Sequence, residues 1–129
     1  MIVWFVRVTM CLMCLVATVA GQAVQISPFY CNLSTLTKAE RERKEQISGT
    51  LATRRIAVRE LSEGYEFVFP GDRSTVQLVS EWVDTERLCC PFFDFAVHLD
   101  REGGQLALRL TGREGTKAFI RADFARWMK

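Results

Sequence analysis

The spacing of hydrophobic and polar positions changes several times along this chain, and each change marks an element. Thr37-Lys38-Ala39-Glu40 opens the first helical stretch. A threonine hydroxyl accepts there from the backbone N–H three residues on, and the glutamate reaches back to the threonine N–H. The spacing predicts a helix from Lys38 to about Thr53 with a thin apolar face of Ala39, Ile47 and Leu51. Glu40–Lys44 and Arg41–Glu45 stand four residues apart and are expected to pair on its solvated side. The period then falls to two. Ile56 and Val58 alternate with Ala57 and Arg59, and Tyr65, Phe67 and Phe69 alternate with Glu66 and Val68. Ser62-Glu63-Gly64 joins the two runs into a hairpin.

A helical period returns after Pro70-Gly71. The second helix starts at Asp72 or Ser74, the latter forming a capping box with Gln77. Val76, Val79 and Val83 share one stripe, with Leu78 and Trp82 beside it. Cys89 and Cys90 stand one heptad beyond Trp82 and Val83, so both thiols continue the buried face. Leu88 falls off the stripe and is expected to pack at the helix end. Pro91 disfavours helical backbone in Cys90, which ends the helix near Cys89.

A third strand runs from Phe92 to Leu99, with Phe93, Phe95, Val97 and Leu99 on one face and Phe92, Asp94, Ala96 and His98 on the other. Asp100 to Gly104 makes the turn, and Leu106, Leu108 and Leu110 form the core side of a fourth strand. A final helix is expected from Glu114 to about Trp127, turning Phe119, Ile120, Phe124, Trp127 and Met128 inward. The order α-β-β-α-β-β-α predicts an α+β fold, with a four-stranded, mostly antiparallel sheet and helices packed on one face.

An apolar leader precedes these elements. One positive residue, Arg7, is followed by an uncharged run from Val8 to Ala20 and then by small residues. That layout reads as a secretory signal over residues 1–23, with a single domain over 24–129 that is exported, periplasmic or secreted. Left uncleaved, the stretch is long enough to anchor the chain in a membrane. A translation start further downstream would instead leave a cytoplasmic protein. Cys11 and Cys14 have C-x-x-C spacing but lie inside the leader, without the folded surroundings that a redox or zinc pair needs.

Charge narrows the function classes. Seventeen basic against 15 acidic residues in a chain of 129 give no basic stripe, which argues against a nucleic-acid interface. No Gly-rich phosphate loop, paired-carboxylate signature or Ser/His/Asp set emerges from the spacing.

The remaining chemistry lies in sulfur. Of five cysteines, Cys31, Cys89 and Cys90 fall after the leader, an odd number for an exported chain. Cys31 can pair with Cys89 or with Cys90; Cys89 and Cys90 can form a strained vicinal disulfide; all three can hold one metal ion; or all three are plain core residues. A free catalytic thiolate is poorly supported, because both vicinal thiols sit at a helix C-terminus, where the dipole is negative. A bound soft ion supplies its own positive charge and deprotonates the thiol outright, so a soft metal or metalloid on Cys31, Cys89 and Cys90 is the favoured reading. His98, the single histidine, or Asp94 would be a fourth ligand, but four strand positions separate them by about 13 Å and they do not both join. The alternatives are a structural or partner-binding domain with core or disulfide-bonded cysteines, and a thiol redox enzyme.

The run Glu86-Arg87-Leu88-Cys89-Cys90-Pro91-Phe92-Phe93-Asp94-Phe95, with Leu110-Thr111-Gly112-Arg113-Glu114-Gly115-Thr116-Lys117 after it, resembles an uncharacterised family of small bacterial proteins that carry an E-R-x-C-C-P-F core. Phe29-Tyr30-Cys31-Asn32 ahead of a Leu-Thr-x-x-Glu helix start is similar to the same family. The resemblance covers about residues 28–122. It implies that Cys31, Cys89 and Cys90 are the family's motif positions, and it tilts the reading toward metals because similar segments occur beside metal-responsive regulators. The long apolar leader departs from that pattern.

Overall fold

The computed structural model describes residues 26–129; the leader, and with it the reading of residues 1–23 as signal or anchor, lies outside the described residues. Helix α1 spans Lys38–Arg54, strand β1 Ala57–Glu60, β2 Gly64–Pro70, helix α2 Arg73–Cys89, β3 Asp94–Leu99, β4 Gln105–Thr111, α3 Thr116–Asp123 and α4 Ala125–Met128. The sheet order is β1-β2-β4-β3 and every pairing is antiparallel. The α+β architecture and its element order are therefore as the sequence predicts.

Register explains which face is buried. Phe67 stands opposite Val58 on one side and Leu108 on the other, and Tyr65 and Phe69 face Leu110 and Leu106. These aromatic and leucine side chains form the floor of the core, and the helices lie over it. Trp127 sits edge-on to both Phe67 and Phe69 at 5.2 and 5.7 Å between ring centres. Glu66 and Val68 are also buried, although they point to the open face. The guanidiniums of Arg59 and Arg109 close over Glu66 at 2.8 and 2.7 Å and shield it.

Several local expectations are corrected. Asp72, not Ser74, caps α2: its carboxylate accepts from the Thr75 N–H and from both the Ser74 and Thr75 hydroxyls. A carboxylate two residues earlier accepts from the orphan Thr75 N–H of the first turn, so Ser74 becomes part of the helix. Strand β3 begins at Asp94, because Phe92 and Phe93 are drawn under the helices as part of a turn after Pro91. Leu88 is exposed instead of packed. Val97 and Leu99 lie on the core face but remain 45% and 49% exposed, because β3 is an edge strand that the helices do not cover. The final helix breaks at Phe124, whose backbone leaves the helical region so that both Phe124 and Trp127 reach the core.

The charges of α1 also redistribute. The capping box of Thr37 and Glu40 forms as expected. The expected Glu40–Lys44 and Arg41–Glu45 pairs give way to contacts between elements. Lys44 pairs with Glu86, Glu45 with Arg126, and Arg41 donates to the Leu33 and Leu36 carbonyls. Pairs within one exposed helix contribute a few tenths of a kcal/mol, roughly, so a partner beside a buried face readily displaces them.

Candidate functional site

The site forms where α2 ends. The stripe that buries Val79 and Trp82 continues through Glu86 to Cys89, all without solvent exposure, and Cys90 closes the helix by donating its N–H to the Glu86 carbonyl at 2.7 Å. Pro91 then turns the chain away. The segment before α1 folds back onto this end: Asn32 N–H donates to the Cys89 carbonyl at 2.8 Å and the Thr35 hydroxyl to the Leu88 carbonyl at 3.3 Å. Two C-terminal carbonyls of α2 thereby find partners outside the helix, and Cys31 is delivered beside Cys90.

Cys31 and Cys90 form a disulfide with 4.8 Å between α-carbons, across 59 residues of sequence. Of the pairings open to the sequence, this is the one formed, and Cys89 is left as a buried free thiol. The sulfurs of Cys31, Cys89 and Cys90 and a carboxylate oxygen of Glu86 all lie within 4.8 Å of one another. The three cysteines singled out in the sequence are thus brought to one point. His98 and Asp94 are not: both are exposed, and His98 faces the open side of the sheet, 3.2 Å from Asp100. The oxygen donor beside the sulfurs is Glu86.

Glu86 and Lys44 are the site residues that the sequence reading missed. The signal for Glu86 was present, since it stands one heptad after Val79 and three residues before Cys89, on the buried stripe. Lys44 likewise stands one heptad before Leu51, on the buried side of α1. Lys44 Nζ lies 2.8 Å from Glu86 Oε2, while Oε1 approaches the Cys31 sulfur at 3.7 Å. The Cys89 thiol lies 3.5 Å from the Glu86 backbone carbonyl and 3.8 Å from Oε2.

Electrostatics follow from this burial. Loss of solvent pushes the Glu86 carboxyl above its ordinary range, and Lys44 opposes that rise. Burial, with the Glu86 charge beside it, pushes the Cys89 thiol up to about 11. Cys89 is therefore a neutral thiol near pH 7, not a ready nucleophile. A small pocket of about 90 Å3 opens onto Cys31 and Glu86 between α1 and α4. Its charged lining is Lys44 and Arg126 against Glu45, Glu86 and Asp123. Trp127 forms part of its wall, anchored through Nε1 to the Ser48 carbonyl at 3.1 Å.

No protein-family model matches the chain, and neither curated proteins nor solved structures give a match.

Proposed function

We propose that the reduced protein is a binding module for one soft metal or metalloid ion, held by Cys31, Cys89 and Cys90. The observation that carries this reading is the convergence of three sulfurs and a buried carboxylate within 4.8 Å. Thiolates select soft ions, and the charge of the ion offsets the burial and the neighbouring Glu86 charge that keep Cys89 a neutral thiol. Glu86 supports the reading from another direction. A carboxylate is rarely fully buried without a purpose, and here it borders two of the sulfurs.

A second reading has its own observation. The Cys31–Cys90 disulfide ties the N-terminal segment to α2, and in the chain-entropy account a closed loop of this size contributes about 4 kcal/mol. In this reading the protein is a structural or partner-binding domain, and Cys89 is core. Compartment divides the two. Export through the leader favours the disulfide, whereas a cytoplasmic start keeps the thiols reduced. The resemblance to the E-R-x-C-C-P-F proteins, whose similar segments occur beside metal-responsive regulators, tilts the balance slightly toward the metal reading.

Native mass spectrometry with thiol counting, before and after reduction, tests both. Uptake of one soft ion by reduced protein, abolished in a Cys89→Ser/Cys90→Ser variant, supports binding. A metal-free protein that takes up no ion after reduction, and loses stability when reduced, supports the staple.

A further inference from the structure

We infer that the ion is a trivalent metalloid, arsenic(III) or antimony(III), taken up as its uncharged hydroxide, with the Glu86–Lys44 pair standing beside the site as a neutral wall and not as a ligand. This rests on the binding reading above and narrows its cargo.

The argument is one of charge in a largely buried site. Cys89, Cys90 and Glu86 have no solvent exposure, and Lys44 lies 2.8 Å from Glu86. Glu86 and Lys44 cancel each other. Three thiolates balance a trivalent centre with nothing left over. A divalent ion on the same three thiolates leaves one surplus negative charge, and a monovalent ion leaves two. Uncompensated charge in such surroundings is strongly unfavourable. A divalent ion on two thiolates is also neutral, but it leaves one of the three gathered sulfurs without a role. The ligand atoms lie within 4.8 Å of one another, and the sulfurs arrive from adjacent backbone positions and one crossing segment. Three sulfurs gathered this closely can meet one pyramidal centre.

The pocket that reaches Cys31 is small and is lined by Lys44 and Arg126 against Glu45, Glu86 and Asp123. Glu45 and Arg126 are paired with each other at 2.6 Å. With Lys44 paired to Glu86 and Arg126 to Glu45, Asp123 leaves one negative charge in the lining, and a small uncharged hydroxide passes it without steering, so selection falls to the sulfurs.

The chemistry balances without an external base. A phosphine first reduces the Cys31–Cys90 disulfide to two thiols, becoming its oxide with an oxygen from water. Each of the three neutral thiols then replaces one hydroxide on the metalloid. An As–S bond forms, an As–O bond breaks, and the thiol proton leaves with the hydroxide as water. No net proton is released, no electron is transferred, and the net charge of the protein does not change.

The test uses the purified protein, reduced with a phosphine that is then removed, and offered arsenite, cadmium(II), zinc(II) or mercury(II) in separate samples. The readouts are native mass and the number of thiols protected from alkylation. Expected is one arsenic per chain with loss of three hydrogens, three protected thiols, and an arsenite affinity at least about tenfold above that for cadmium or zinc, roughly 1.4 kcal/mol. Glu86→Gln retains arsenic with three protected thiols. Should that variant misfold, the apolar double replacement Glu86→Leu/Lys44→Met gives the same readout. Cadmium or zinc held by three thiols in preference to arsenite, or mercury held by two, overturns the metalloid assignment and leaves soft-metal binding standing. Loss of arsenic in a folded Glu86 variant makes Glu86 a ligand and also overturns the assignment. No uptake of any ion overturns both readings.

Discussion

Lys44 on α1 and Glu86 on α2 form an ion pair of 2.8 Å whose carboxylate has no solvent exposure and borders the sulfurs of Cys31 and Cys89. Breaking a buried pair by deleting one partner leaves the other charge uncompensated. Lys44→Met is therefore expected to lower unfolding free energy by about 3 kcal/mol at pH 7. The pH dependence has a definite sign. The Glu86 carboxyl is raised in the folded state, so the native form favours its protonated state. Stability from this group is present below the unfolded value and is lost as pH rises through the folded one. The defect in Lys44→Met should thus shrink as pH falls toward 5, which denaturant titrations at several pH values will show.

The disulfide separates the roles of neighbouring cysteines. In oxidised protein, Cys31→Ser removes the cross-link and should reduce stability by about 4 kcal/mol. Cys89→Ser leaves the cross-link intact and should change stability by less than about 1.5 kcal/mol, because the thiol already neighbours a carbonyl oxygen. Guanidinium midpoints under non-reducing conditions compare the two.

Cys89 should resist alkylation in the folded oxidised protein. It has no solvent exposure and its thiol is pushed up to about 11. Labelling near pH 8 is expected to follow global unfolding, so rates measured against denaturant should track stability. Rapid labelling under native conditions would contradict the burial.

The open face of the sheet has its own buried carboxylate. Glu66 is held below its ordinary carboxylate range first by Arg109 and then by Arg59. A depressed carboxylate contributes stability above its unfolded value and loses it as pH falls through the folded one. Both guanidiniums are more than half exposed and screened by solvent. Arg109→Met is accordingly expected to lose about 1 kcal/mol at pH 7, and Arg59→Met less. The two losses should converge toward zero near pH 3 in thermal melts.

The cap of α2 gives a simple comparison. Asp72→Ala removes the acceptor for three donors, whereas Ser74→Ala removes one of them. The melting midpoint should fall further for Asp72→Ala, and the reverse order would restore Ser74 as the cap.

How far the sequence reveals all this depends on which force decides each position. Period-two and period-3.6 patterns place β1, β2, β4, α1 and α2 nearly to the residue, because Phe67, Leu108 and Val79 have only one face to bury. The end of α2 is legible because Pro91 fixes it. Position across the sheet is not legible. Val97 and Leu99 follow the core pattern, yet they sit on an edge because β4 inserts between β2 and β3. The break at Phe124 is equally hidden, since an uninterrupted helix satisfies the same apolar spacing. At the site, the three cysteines are readable as a set. Glu86 and Lys44 are harder, because surface helices use the same residue types at the same spacing. Only their places on buried stripes distinguish them.

The disulfide also divides the chain topologically. Its loop encloses α1, β1, β2 and α2, while β3, β4, α3 and α4 lie outside it. Tension applied to the two ends of the oxidised chain therefore runs from Cys31 straight to Cys90 through sulfur, and the span between them carries no load. Pulled to full extension, the oxidised protein should be shorter than the reduced one by roughly 200 Å. Its mechanical resistance resides in the pairing of β4 with β2, where the load-bearing tail is stitched to the enclosed half.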